Sequence, residues 1–125
     1  MITWRQVRRY YDDLRLRYYQ DAEDPLRLPP PAAELTWRWA PDKGNLAETV
    51  FEPSTPAGRP AVDAHVVGVN LNVVVARSGQ RVLKLCLLHE LSHMRNPAAN
   101  CGRGSRWWRE ECSRLAAAGA FWEVF

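Results

Sequence analysis

The sequence predicts an α+β fold in which helices flank a small β-sheet. Apolar residues recur at helical spacing near both ends of the chain, whereas the middle carries the alternating and valine-rich runs that are typical of strands. The length of 125 residues is that of one domain, so we expect residues 1–125 to fold as a single unit. The expected order is helix, three strands, helix, helix.

The composition is that of an ordinary globular protein. Hydrophobic residues make up 46% of the chain and charged residues 25%, which excludes extensive disorder and collagen-like structure. No apolar run approaches the roughly 20 residues that span a bilayer, and the first residues lack a signal peptide's apolar stretch, so we expect no membrane partner. The odd number of cysteines favours reduced thiols and a cytoplasmic location.

The first helix is predicted from Thr3 to about Gln20. Apolar residues form one stripe along it, and Thr3 with Gln6 has the spacing of a capping box.

Three strands are predicted next. Aromatic and polar residues alternate over Glu34–Ala40, and the turn sequence at 42–45 lets Leu46–Glu52 return as the partner of that strand.

A valine-rich run, Val62–Ala76, predicts the third strand of an antiparallel or mixed sheet. One face of this strand is apolar. The opposite face carries Asn70 and Asn72, so we expect that face to be wet or to line a groove.

Two helices are predicted to follow. One opens at Ser78–Gly79 and runs to about Arg95, with apolar residues around most of its circumference, as in a buried central helix.

The last helix is predicted to begin after Ser105, which is a suitable N-cap. We expect it to run through Leu115 towards Phe121. The main chemical signal of the sequence lies in the central helix that precedes it.

That signal is the pattern H-E-x-x-H, formed by His89, Glu90 and His93. Residues four apart on a helix lie on nearly the same face, about 6 Å apart along the axis, so the two imidazoles can share one zinc ion. Glu90 can then take a proton from the attacking water and deliver it to a leaving amine. The alternative is that both histidines merely pack inside the helix, but burying these polar groups among leucines without a role is costly.

A catalytic zinc normally has three protein ligands, so a third ligand is needed. Glu111 is the preferred candidate because Trp107 and Leu115, four residues away on either side, place it on an apolar face. Glu110 instead has arginines at both of these spacings, which is typical of a solvated face. The candidates that remain open beside Glu111 are His65, Cys101, Glu110 and Cys112.

Arginines interleave with tryptophans in a second cluster between residues 103 and 114. Such a pattern suits single-stranded nucleic acid, with guanidinium groups on phosphates and indoles on bases. The candidate contacts are Arg103, Arg106 and Arg109. The alternative is that the tryptophans pack the last helix on the core while the arginines face water.

These motifs together resemble the small zincin metallopeptidases. Val69–Asn72, Leu87–Met94 and Trp108–Leu115 look like the matching segments of SprT-like (Spartan-type) proteins. The third ligand of that family is a histidine just before the tryptophan, whereas this chain has Gly102–Ser105 there, without a histidine. Glu111–Ala116 is similar to the E-A-N-x-F-A helix of the ImmA/IrrE-like minimal gluzincins, whose glutamate is the third ligand. The resemblance covers about residues 65–117.

The resemblance implies a zinc-dependent peptidase that acts on a protein or peptide substrate, with Glu90 as the catalytic base. It also implies a zincin architecture in which Val66–Val75 is the edge strand of a cleft and pairs with an extended substrate. SprT-like proteins act on DNA-bound substrates, which adds weight to the nucleic-acid contact. The resemblance also implies one residue that stabilises the oxyanion of the reaction. Its candidates are Tyr10, Tyr11, Tyr18, Tyr19 and Arg114.

A second hypothesis is a non-catalytic module of zincin fold with a structural or degenerate metal site that binds a protein or nucleic-acid partner. The missing family histidine favours this hypothesis. The intact Glu90 argues against it, because a purely structural zinc site does not need that carboxylate.

Overall fold

The computed structural model describes residues 1–21, 28–54, 60–97 and 104–124. Over these ranges the fold is α+β, with five helices and a mixed three-stranded sheet, which confirms the predicted class. No helix in these ranges is both long enough and apolar enough to cross a membrane. The elements in chain order are α1 (Trp4–Tyr18), a 3₁₀ turn (Ala32–Glu34), β1 (Thr36–Ala40), β2 (Ala47–Ser54), β3 (Pro60–Asn72), α2 (Val75–Ser78), α3 (Gln80–Arg95), α4 (Arg106–Ala117) and α5 (Ala120–Val124).

Helix α1 begins at the predicted capping box. The Thr3 hydroxyl accepts a hydrogen bond from the Gln6 backbone N–H, and the Gln6 side chain accepts one from the Thr3 N–H. These bonds satisfy two of the N–H groups that a helix start leaves without partners. The helix packs on α3 and on the sheet, where Trp4 stacks on Trp39 of β1 with ring centroids 4.1 Å apart.

Strand β3 lies at the centre of the sheet, whose order is β1-β3-β2. Trp37 of β1 pairs with Val69 in a parallel register, and Thr49 of β2 pairs with the same residue in an antiparallel one. The predicted pairing of β1 with β2 is wrong, because the turn reverses the chain but β3 lies between the two strands. The expected cleft edge at Val66–Val75 is wrong for the same reason, and the edges of the sheet are β1 and β2.

The predicted third strand is too long at its C-terminal end. β3 stops at Asn72, whose buried side-chain Oδ1 accepts a hydrogen bond from the Val74 N–H at 2.9 Å. This side-chain turn bends the backbone away from the sheet, and α2 begins at Val75. Asn72 therefore lies in the interior and is not solvent-exposed, whereas Asn70 is half-buried. Solvent exposure is one of the two expectations for that face, and it is wrong for Asn72.

Helix α3 begins at Gln80, as predicted, and is the central helix of the fold. Gly79 precedes it with a φ of +91°, a backbone conformation that favours glycine and separates α2 from α3. The helix contacts α1, α2, α5 and β2, and it buries apolar side chains such as Leu83 and Leu87. It carries the H-E-x-x-H residues into the middle of the molecule.

Helix α4 begins after Ser105, whose hydroxyl accepts a hydrogen bond from the Trp108 N–H, as the sequence predicts. It ends at Ala117 and does not continue to Phe121. Gly119 interrupts it with a φ of +86°, and α5 follows as a separate short helix.

Candidate metal centre

His89 and His93 project from the same side of α3. Their Nε2 atoms are 3.0 Å apart, and the ring centroids are 4.8 Å apart. Two nitrogens bound to one zinc ion at the usual length and a tetrahedral angle would be about 3.3 Å apart. The pair therefore fits a shared zinc ion after a small adjustment, and the predicted common face is confirmed.

Both imidazoles are in the form that binds metal. Burial lowers the pKa of His89, and burial together with the neighbouring His89 lowers the pKa of His93 to about 4. Near neutral pH the rings are therefore uncharged, and each has a nitrogen lone pair available for coordination.

Trp107 and Trp108, in the first turn of α4, lie against these two imidazoles. The ring centroids of Trp108 and His89 are 4.5 Å apart, and those of Trp107 and His93 are 5.5 Å apart. The half-buried indoles therefore contribute to the partial burial of the imidazoles. Sequence reasoning assigns the tryptophans to helix packing or base stacking, and it misses this position because no local pattern encodes where α4 crosses α3.

Glu90 follows His89 on α3, and its carboxyl group contacts β2. The side chain is 5% exposed and accepts hydrogen bonds from the hydroxyl and the backbone N–H of Thr49. Burial raises the pKa of Glu90 to about 7, with a further contribution from Glu48, while the bonds from Thr49 oppose the rise. A carboxyl group with such a pKa can both accept and return a proton near neutral pH, as general acid–base catalysis requires.

Thr49 is a site residue that sequence reasoning does not single out. A weak signal exists, because half-buried Ala47 and Thr49 alternate with exposed Glu48 at the start of β2, before half-buried Val50 breaks the pattern. This alternation places the threonine on the inner face of the strand. Its contact with Glu90 depends on how β2 packs against α3, which the alternation does not determine.

Glu111 is buried, as predicted, but its carboxylate contacts Arg114. The Arg114 Nε lies 3.2 and 3.3 Å from the two carboxylate oxygens, and the Ser92 hydroxyl lies 3.5 Å from one of them. No group of three or more His, Cys, Asp or Glu side chains lies together as metal ligands within the described ranges. Glu111 as the third ligand stays a prediction, and it requires the carboxylate to move away from Arg114.

The Glu111 carboxylate belongs to a buried hydrogen-bond network. The Tyr19 hydroxyl lies 2.6 Å from the Ser92 Oγ and donates to the Leu88 carbonyl at 3.0 Å. Arg114 also donates to the carbonyl of Tyr18 at 2.8 Å. The network joins α4 to α3 and to the end of α1, and it compensates the buried charge of Glu111 without a metal.

The other candidate ligands have different surroundings. His65 is exposed on β3, and Cys112 is half-buried on α4. Glu110 forms an exposed ion pair with Arg106, with nitrogen and oxygen 2.9 Å apart, as its arginine neighbours indicate. Cys101 lies outside the described residues.

The candidate nucleic-acid contacts are only partly described. Arg106 and Arg109 are exposed on α4, and Arg103 lies outside the described residues. Trp107 and Trp108, which such a contact would stack on bases, lie against the histidines. Nucleic-acid contact at this helix stays a prediction.

Several candidates for the oxyanion-stabilising group have partners elsewhere. The Tyr11 hydroxyl donates to the Pro30 carbonyl at 2.7 Å, and the Tyr18 hydroxyl donates to the Glu123 carboxylate. Tyr19 belongs to the buried network with Ser92, as does Arg114. In this conformation these groups hold elements of the fold together.

No relative of this chain was found among known proteins. A scan against protein-family models found no match, and neither did searches of curated proteins and of solved structures. The case for a function therefore rests on the H-E-x-x-H residues and the groups that surround them.

Proposed function

We propose that the protein is a zinc-dependent metallopeptidase of zincin type, in which His89 and His93 hold zinc and Glu90 is the general base. The observation that carries the proposal is the 3.0 Å separation of the two imidazole Nε2 atoms, beside a buried carboxyl group. A helix that carries a neutral histidine, then a glutamate and then a second neutral histidine has the ligands and the general base of a zinc hydrolase.

A zinc ion held by this pair would act as a Lewis acid on the peptide carbonyl and make the attacking water more acidic. Proton transfer belongs to Glu90, which accepts the proton of the attacking water and returns it to the leaving amine nitrogen. The Thr49 hydroxyl donates to the Oε2 atom of Glu90 and so helps to orient the carboxyl group.

Strand β2 supports an extended peptide as the substrate. It is an edge of the sheet, and within the described residues it pairs with β3 alone. Thr49 connects this strand directly to Glu90. A peptide that adds to the β2 edge as a further strand would therefore pass beside the general base.

For the third ligand we propose Glu111. Its side chain is buried on α4, the helix whose tryptophans cover the histidines. Arg114 compensates its charge in the structure, and a bound zinc ion would take over that role. Cys101 and Cys112 are the alternatives that mutation has to exclude, together with Glu110 and His65.

Metal analysis tests the ligand set. After dialysis against metal-free buffer, the wild-type chain is expected to retain about one zinc per chain, measured by plasma mass spectrometry. Glu111→Ala should weaken zinc binding by roughly tenfold or more, whereas its exposed neighbour Glu110→Gln should behave as wild type. Full affinity in Glu111→Ala contradicts the third ligand only, and a wild-type chain without zinc contradicts the proposed function.

A cleavage assay tests the chemistry. The zinc-loaded chain is expected to release fluorescent fragments from labelled casein, and Glu90→Gln should reduce the rate by about 100-fold or more while zinc content stays unchanged. Glu52→Gln removes an exposed carboxylate from the strand that carries Thr49 and is the matched control. Cleavage that persists in Glu90→Gln would rule out the assigned base.

A non-catalytic zincin-fold binding module is the second candidate function. The observation that favours it is the ion pair of Glu111 with Arg114, together with the lack of a three-ligand group in the described part of the chain. Such a module would show no cleavage even with zinc supplied, and its binding to a partner would be the same in wild type and Glu90→Gln.

A further inference from the structure

A basic surface forms where the first half of α1 meets α2 and the start of α3. The Ile2 N–H donates to the Ala76 carbonyl at 3.1 Å, which ties the start of α1 to α2. Further along, two cations lie near the Tyr10 ring, with the Arg9 guanidinium 5.3 Å and the Lys84 ammonium 5.0 Å from its centroid. The two segments therefore run side by side in the same direction over this stretch.

Cations lie along both of these neighbouring segments. Arg5 and Arg9 are one turn apart on α1, and three further cations follow at intervals of four and three residues from α2 into α3. Lys84 is half-buried and the other four are exposed. None of the five forms an ion pair with any residue that the structure describes. The basic surface consists of Arg5, Arg9, Arg77, Arg81 and Lys84.

Carboxylates at the margin do not neutralise this surface. Glu123 of α5 interacts with Lys84, but its oxygens are held by Arg17 and Tyr18. Asp13 is exposed one turn beyond Arg9 on α1, where it also interacts with Arg17. Five cations therefore face two carboxylates, and the excess of positive charge is open to solvent.

We propose that the basic surface binds the phosphate backbone of a nucleic acid. Four of its five cations are arginines, whose planar guanidinium groups bind phosphate oxygens in pairs. Cations along two neighbouring segments suit a continuous polyanion. Tyr10, the aromatic residue at the centre, is buried, so the middle of the surface presents charge and not the apolar side chain that a membrane-binding helix inserts.

This assignment differs from the contact on α4 that the sequence predicts, and it does not depend on the proposed peptidase activity. On α4 the Arg106 guanidinium is already paired with Glu110. On the basic surface the arginines are free of ion pairs with the described residues, so phosphate contact breaks no ion pair there.

Fluorescence anisotropy with a labelled DNA duplex and a labelled single strand, over a series of salt concentrations, tests the proposal. Binding to the duplex is expected to weaken with salt with a log–log slope of about −3 to −4, because each neutralised phosphate contributes about −0.9. Arg5→Gln/Arg81→Gln should weaken binding by about tenfold and make the slope less negative by about 2. Arg106→Gln/Arg109→Gln removes the same charge from α4 and should bind as wild type.

The substituted side chains are exposed, so both variants should melt at the wild-type temperature, which excludes unfolding as a cause of lost binding. No binding of wild type to either DNA at low salt would overturn the proposal. Equal or greater loss in the α4 variant would also overturn it, in favour of the contact predicted from the sequence. Binding to vesicles of phosphatidylserine and phosphatidylcholine without binding to DNA would identify a membrane surface instead.

Discussion

A carboxyl group as deeply buried as that of Glu90 costs free energy whenever it is charged. The hydrogen bonds from Thr49 offset part of this cost, and the remainder appears as a pKa raised to about 7. An apolar residue at position 90 would avoid the cost altogether. A strongly shifted carboxyl group beside two paired imidazoles therefore points to a chemical role more than to packing.

Replacement of Glu90 by glutamine is expected to stabilise the metal-free protein at alkaline pH. The folded-state pKa of the carboxyl group, about 7, lies above its ordinary value of 4.5, so stability falls as the pH rises through this window. The penalty is on the order of 3 kcal/mol at full ionisation, and glutamine carries no charge while it still accepts a bond from Thr49.

Urea unfolding of the metal-free wild type and Glu90→Gln at about pH 5 and about pH 8.5 measures this difference. The variant should exceed the wild type mainly at the higher pH. A difference of the same size at both pH values would show that the charge of Glu90 is not its source. Glu52→Gln, an exposed substitution on β2, should leave the pH dependence nearly unchanged.

Site residues differ in how far the sequence alone locates them. Residues 89–93 lie within about one helical turn, so their spacing determines their common face. Thr49 and Trp107 reach the same region from other elements, through packing that local patterns do not encode. Glu111 is an intermediate case, since its apolar neighbours predict burial correctly but do not distinguish zinc from Arg114 as the partner of its charge.

Among the elements, β3 determines the arrangement of the sheet. The sequence predicts three strands at about the right positions, because alternation and valine content are local properties. The order of the strands depends on pairing between residues far apart in the chain, which a turn of four residues does not specify. The pairing of β1 with β3 also needs Gly68, because a Cβ atom there would lie 2.6 Å from the Thr36 carbonyl oxygen.

Gly68→Ala is expected to lower the free energy of unfolding by about 1–3 kcal/mol, because β1 must move away from β3 to relieve the overlap. Thermal melting measures the loss. Thr36→Ala, at the exposed position opposite in the register, adds no atom between the strands and should cost less than about 1 kcal/mol. If Gly68→Ala melts at the wild-type temperature, the close approach of the two strands is wrong.

Helix α4 depends on the ion pair between Glu111 and Arg114. In the metal-free protein, Arg114→Met leaves a buried carboxylate without its partner and is expected to cost about 2–4 kcal/mol in urea unfolding. Glu111→Leu/Arg114→Met removes both charges and should recover most of this loss.

Zinc gives this experiment a second result. If Glu111 is the third ligand, zinc replaces Arg114 as the partner of the carboxylate and should reduce the defect of Arg114→Met. An undiminished defect in saturating zinc would show that Glu111 serves only the buried network.

Across the whole molecule, α3 connects the proposed zinc site to the fold. It packs on α1, α2, α5 and β2, and it presents His89 and His93 to the indoles of α4. The sequence predicts the class and the order of the main elements because these follow from local periodicity. A ligand that joins two side chains of this helix should stabilise the entire domain, since a ligand that binds only the folded state shifts the unfolding equilibrium.

Zinc is accordingly expected to raise the melting temperature of the whole chain. Free zinc at about 100 times its dissociation constant adds about 2.7 kcal/mol, or roughly 10 °C for a domain of this size. His89→Ala/His93→Ala should melt at the same temperature with and without zinc, whereas Glu90→Gln, which keeps both imidazoles, should retain the shift. The comparison is made within each variant, so differences in intrinsic stability cancel. An equal zinc shift in the double alanine variant would place the metal elsewhere, and no shift in the wild type would exclude zinc binding by this pair.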